Sequence, residues 1–153
     1  MNFNNFTIKS QEAVQEAVNL VQNRGQQAIE PEHLMAGLLK VGENVTNFIF
    51  QKLGINGQQI ETVLDRQIAS LPKVSGGEPY LSRDANEVLQ KAVEVSKELG
   101  DEYVSLEAIL LALLNVKSTV STMLKDAGLT DKELRAAIQE LRQGQNVTSQ
   151  SSE

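Results

Sequence analysis

Ile29-Glu30-Pro31-Glu32-His33-Leu34-Met35-Ala36-Gly37-Leu38-Leu39 returns 75 positions later as Val104-Ser105-Leu106-Glu107-Ala108-Ile109-Leu110-Leu111-Ala112-Leu113-Leu114. Glu32, Leu38 and Leu39 land on identical residues. Working outward, the same shift carries Glu12, Gln15, Ala17, Val18, Gly25, Val41 and Val45 onto Glu87, Gln90, Ala92, Val93, Gly100, Val116 and Val120. Thr7 falls on Ser82, and both are good helix N-caps. One residue then drops out, and Gly54-Ile55 meets Gly128-Leu129. A constant shift across three helical patterns marks a tandem duplication.

Within each copy the apolar residues recur at helical spacing. Ala13, Val14, Ala17, Val18 and Val21 make one stripe, between a Thr7 cap and an Arg24-Gly25 stop. Pro31 opens a second helix at the position where a missing N–H costs nothing. Asn44 begins a third, stopped by Gly54. Asn56 to Gln59 and Thr130 to Glu133 read as capping boxes for the fourth helix of each copy. The expected fold is all-α: about eight helices in two four-helix repeats with pseudo-two-fold symmetry. Repeat one runs over about 7–71, repeat two over about 81–142, and Pro72 to Tyr80 is the linker. Residues 143–153 are Gln, Ser, Asn, Gly and Thr with almost nothing apolar, and read as a flexible tail toward a further domain.

The 153 residues carry a formal net charge of −6, with no cysteine and a single histidine, His33. That balance disfavours nucleic acid, and it removes thiolate metal sites and Cys-His chemistry. No phosphate-cradling G-x-x-x-x-G-K-[ST] loop is present. The longest apolar run, Ala108 to Leu114, is too short to span a membrane. The expectation is a binding module rather than an enzyme, with no metal or cofactor of its own and no membrane or nucleic-acid partner. Glu30, Glu32 and His33 cluster, but Glu32 suits the first turn of a helix. Ala108 replaces His33 in the second copy, so histidine chemistry is not part of the repeated design.

The two quoted stretches resemble the paired Clp repeats that head the Clp/heat-shock ATPases. Phe6-Thr7 through Ala17, and Leu71-Pro72-Lys73-Val74, are most similar to the ClpB type, the bacterial disaggregases. The resemblance covers Phe6 to about Gln143. It implies a mobile N-terminal module that engages unfolded or aggregated protein and hands it to a hexameric ring, with help from a DnaK-type chaperone system in the cytoplasm. ATP and magnesium would belong to ATPase modules outside this chain, and the isolated domain would be a monomer. The resemblance also points to Thr7, Asp101 and Glu107 in substrate handling. Each has a structural reading as well: a cap, a turn residue and a first-turn carboxylate.

A further surface is suggested by the helical wheel. Leu20 lies roughly 110° from the centre of the first-helix stripe, and its repeat partner Val95 lies equally far off. Either the core face is wide, or both residues border a groove. In the second case Val95, Tyr103 and Ala108 would line a shallow apolar site rimmed by Thr7, Asp101 and Glu107. Alternatives are an adaptor-docking or phosphoarginine-binding domain of a ClpC/ClpA-type protease ATPase, with Glu32 and Glu107 at the matching first-turn sites, or a spacer that gates a ring.

Overall fold

The computed structural model describes residues 2–153. Among these residues eight helices follow one another: α1 (Ile8–Asn23), α2 (Pro31–Val41), α3 (Glu43–Leu53), α4 (Gly57–Ala69), α5 (Arg83–Glu98), α6 (Leu106–Asn115), α7 (Thr119–Asp126) and α8 (Asp131–Arg142). Two-residue strands β1 (Ala28–Ile29) and β2 (Tyr80–Leu81) complete the list. The caps explain the starts. Thr7, Asn56, Ser82, Ser105, Ser118 and Thr130 each accept a hydrogen bond from the backbone N–H three residues on. That satisfies one of the four amides a helix leaves without a partner. The reciprocal box forms at Ser118, whose N–H donates to Ser121 Oγ, and not at Asn56 or Thr130. Gly25 and Gly54 adopt positive φ (67° and 68°), where the left-handed turn ends the preceding helix.

The duplication is visible in the backbone. β1 pairs with β2 in parallel, with Ile29 opposite Leu81. Phe6 and Val104 form a second parallel bridge. A shift of 75 converts Phe6 into Leu81 and Ile29 into Val104, so one contact occurs twice. In each, the lead-in to one repeat pairs with the segment before the second helix of the other. The halves therefore interlock rather than sit end to end, which gives the pseudo-two-fold arrangement. α1 packs along α2, and α5 along α6.

The core lies where these layers meet. Every residue of α6 from Leu106 to Leu114 is buried, which is why that helix is apolar on every side apart from Glu107 in its first turn. Phe6, Met35, Leu38, Ile49, Leu89 and Leu110 are among its largest enclosed side chains. No single helix among the described residues is long and apolar enough to cross a membrane.

The segment 143–153 departs from its compositional reading as a flexible tail. Gln143 (φ 54°) and Gly144 (φ 79°) turn the chain back after α8. Val147 is then buried. Its N–H donates to Asp101 Oδ1 at 2.9 Å, and its carbonyl accepts from the Glu102 N–H at 2.8 Å. Further on, the Gln150 carbonyl accepts from the Ile8 N–H at 2.8 Å. Main-chain hydrogen bonds help to hold this polar segment, and composition does not report those.

Candidate functional site

The head of α6 gathers the charged residues of the second repeat. Ser105 caps the helix, and Glu107 occupies its first turn. Asp101 sits in the turn after Gly100, and Arg142 ends α8. Arg142 joins them. Its Nε donates to Glu107 Oε1 at 3.0 Å, Nη1 to Asp101 Oδ1 at 3.0 Å and Nη2 to Ser105 Oγ at 2.9 Å. The Arg142, Asp101 and Glu107 side chains are 6%, 0% and 5% exposed. A charge so far from water persists only when paired. Burial pushes Glu107 up, but the Glu153 carboxyl and the Arg142 guanidinium outweigh that and hold it below the usual carboxylate range. Arg142 is itself held above its ordinary value, its burial outweighed by the two carboxylates.

Thr7 stands next to this cluster. It is buried, and its N–H donates to the Val104 carbonyl at 3.0 Å through the interlocking bridge. The carboxyl of Glu153 reaches the same spot. It accepts from the Leu106 N–H at 2.9 Å and from the Thr7 hydroxyl. Thr7, Asp101 and Glu107 are thus brought together, with the tail threaded across all three.

The corresponding place in the first repeat is built from other chemistry. Gln26 stands for Asp101, Glu32 for Glu107 and Ser82 for Thr7. Gln26 donates to the Ile68 carbonyl at 2.7 Å and accepts from His33 Nε2 at 2.7 Å, while His33 Nδ1 accepts from the Glu30 N–H at 2.9 Å. His33 is therefore a buried neutral imidazole with both nitrogens used. Glu32 accepts from the Thr119 hydroxyl at 3.1 Å, and burial raises its pKa despite that bond.

Burial, followed by the charge of Arg24, lowers the His33 pKa to about 4. Between that value and the 6.5 of an exposed imidazole, the unfolded chain takes up a proton that the folded chain refuses. The stabilising contribution is complete above pH 6.5 and disappears as the pH falls toward 4. It is about 3 kcal/mol. His33→Ala should flatten the stability profile across that window when urea unfolding is followed at several pH values. An unchanged slope would show that His33 is not the titrating group.

The groove expected around Val95 does not exist as an open surface. Val95 and Ala108 are fully buried, because α5 and α6 pack against each other there. The wide-core reading holds for Val95, while its partner Leu20 is only partly buried against the same core. Tyr103 is half-buried and faces a separate shallow hollow with Asn4, Asn5 and Glu102. The open feature beside Glu107 is a different hollow, of about 580 Å³, with a mixed polar and apolar lining. Val41, Val45, Leu106, Leu141 and Val147 contribute its apolar wall, and Lys9 lies at its edge. Val41 and Val45 stand out in the sequence as positions repeated in the second copy, but nothing in their spacing shows that they meet Leu141. A larger hollow of about 1060 Å³ between α2, α3 and α4 is lined largely by polar chains such as Lys40, Glu43, Asn47 and Gln58, and no segment of this chain crosses it.

Residues 5–127 match the Clp repeat (R) N-terminal domain family. The chaperone protein ClpB of Bacteroides thetaiotaomicron is 80% identical over 153 residues, which is all of this chain and 18% of that protein. The chain thus spans about a fifth of the length of its curated relatives. The solved N-terminal domain of Hsp104 from Candida albicans matches with a TM-score of 0.83 at 23% identity, covering 95% of this chain and 97% of that one. The ClpV N-domain solved in complex with a VipB peptide gives 0.75 at 21%, covering 97% and 90%. At those identities the two structures speak for the fold alone. Together with the interlocked repeats, the family match and the ClpB relative establish that this chain belongs to the Clp repeat N-terminal domain family.

Proposed function

We propose that this chain is the substrate-binding module of a ClpB-type protein disaggregase, and that it holds unfolded segments in the hollow at the head of α6. One observation carries the reading. A stretch of polypeptide, residues 147–153, already lies along this site, held by backbone groups of Val147 and Gln150 and by the Gln150 and Glu153 side chains. Backbone recognition suits a module that must accept many sequences. The apolar wall adds burial at roughly 25 cal/mol per Å², less the cost of ordering the client. Binding should be weak, as release into a pore demands. The peptide-bound ClpV N-domain, a relative in fold, supports a peptide ligand. In this setting the ATPase ring, its hexameric assembly, its magnesium-ATP and a DnaK-type partner belong to the remainder of a longer cytoplasmic protein.

The test is Val45→Asp, which places a charge on the apolar wall at a half-buried position. Titrated with reduced, alkylated α-lactalbumin and followed by NMR, it should bind at least about tenfold more weakly, a loss of about 1.4 kcal/mol, with helical circular dichroism retained. Tyr103→Ala, on the separate hollow, should bind as before. Equal binding by Val45→Asp and the unmodified chain would move the site elsewhere.

A further inference from the structure

The pocket between Thr7, Leu106 and Glu107 has an uneven set of hydrogen-bonding groups. The Leu106 N–H is a donor that no carbonyl within α6 can use. Thr7 Oγ1 lies 2.8 Å from Ser10 Oγ, to which its single proton can go. It then has a lone pair to offer. Glu107 Oε2 is buried and has no hydrogen-bond partner. One donor, one hydroxyl that can give or accept, and one bare acceptor thus meet at the Glu153 carboxyl. A carboxylate accepts from the Leu106 N–H and, when the hydroxyl turns its proton that way, from Thr7, but it leaves Glu107 Oε2 unpaired. A carboxamide supplies one acceptor and two donors.

We infer that this pocket is a side-chain subsite for a neutral carboxamide, glutamine or asparagine, carried on an extended peptide, and that Glu153 occupies it in cis only as the protonated acid. It deepens the client-groove reading above and rests on it solely in assigning the subsite to clients. The protonated acid mimics the amide, since it gives one donor and keeps one acceptor. Glu153 is exposed as a residue, but its carboxyl turns inward against Thr7 and Leu106, and there the loss of water, followed by the neighbouring Glu107 carboxylate, pushes it up to about 9, which agrees with an acid bound in neutral form. The charged groups that face the pocket are Glu107 from α6, Arg142 from α8, Asp101 from the preceding turn and Lys9 from α1. Arg142 is already committed to Glu107 and Asp101, and Lys9 lies 3.7 Å from Glu12. Neither cation neutralises a second carboxylate.

The first repeat lacks this subsite. Pro31 stands where Leu106 does, so no N–H is presented at that helix head. Glu32 is turned to Thr119. The duplication preserved the shape and placed the carboxamide pocket in one copy.

Because the chain has no cysteine, a dye on Ser151→Cys, an exposed position, reports tail docking by anisotropy. Amide exchange at Leu106 and Ile8 gives a label-free measure. Docking of the Glu153 tail should weaken as the pH rises from 5 to 8, by up to about tenfold per unit. Glu153→Gln should dock more tightly at pH 8 and show no pH dependence. Glu153→Ala should dock weakly throughout. In trans, an end-capped peptide Asn-Val-Thr-Ser-Gln-Ser-Ser-Gln should displace the labelled tail at pH 8 at a concentration about tenfold below its Glu counterpart, a difference of about 1.4 kcal/mol. The two should converge at pH 5. A Gln tail that docks no better than Glu at pH 8, or that keeps the pH dependence, overturns the assignment. If the Gln preference holds but alkylated α-lactalbumin does not displace the tail, the subsite stands and the client reading falls. If the client displaces the tail while Gln and Glu peptides are equal, the client reading stands and the carboxamide assignment falls.

Discussion

Arg142→Ala should cost about 3–5 kcal/mol of unfolding free energy, because it strands two buried carboxylates. Asp101 and Glu107 are 0% and 5% exposed at their side chains, and Arg142 is the cation that touches both. The Ser105 hydroxyl loses a hydrogen-bond donor as well. Removing one member of such a cluster is more damaging than replacing all of it with apolar groups, since the penalty lies in the uncompensated charge. Asp101→Asn combined with Glu107→Gln should therefore recover much of the loss in the Arg142→Ala background. The pH dependence has a definite sign. Without the guanidinium, burial is opposed by one partner fewer at Glu107 and its pKa rises, so the folded state binds a proton that the unfolded state does not. Stability of the variant should then rise as the pH falls from 7 toward 5. Urea unfolding by circular dichroism measures both effects. A loss under about 1 kcal/mol would mean that water reaches the cluster and that the pairs behave like surface ion pairs.

Gly37→Ala should destabilise the fold by about 3 kcal/mol, toward the upper end for overpacking. A Cβ on Gly37 would stand 2.2 Å from the Ala13 carbonyl oxygen and 3.2 Å from the Ala17 amide nitrogen. Both are backbone atoms of α1 and cannot swing away. Alanine would add up to about 1 kcal/mol of helix propensity over glycine, but a clash with a helix backbone outweighs that. The second repeat is informative, because Ala112 occupies the matching position and is fully buried. α5 and α6 pack with room for that methyl, whereas α1 and α2 make the more extensive contact of the two pairs. Thermal unfolding should show a marked drop in midpoint. If Gly37→Ala were neutral or stabilising, α1 and α2 would have to separate freely, and the close approach would carry no energy.

The sequence by itself determined the duplication, the helix count and most helix ends. Those are local or strictly periodic properties. Thr7 and Ser82 cap because their hydroxyls reach amides three residues on, whatever lies elsewhere in the chain. Gly25 and Gly54 stop helices because left-handed φ is a property of the single residue. The aliphatic core also followed from composition, there being no tryptophan to build another kind.

Tertiary structure alone decided which off-stripe residue is open. Leu20 and Val95 hold the same place on the helical wheel, yet Val95 is enclosed and Leu20 only partly so. The wheel gives an angle, and burial depends on how many neighbours that angle meets. The site lay beyond the sequence for the same reason. Arg142 is 35 residues from Glu107 and 41 from Asp101, and no periodicity links α8 to the head of α6. The tail was the hardest segment to read. Backbone groups of Val147 and Gln150 supply bonds to Asp101, Glu102 and Ile8, and the Gln150 and Glu153 side chains add bonds to Asn4, Leu106 and Thr7. Every non-proline residue carries the same main-chain donor and acceptor. Which of them find partners is settled only when the rest of the fold presents a surface to meet them.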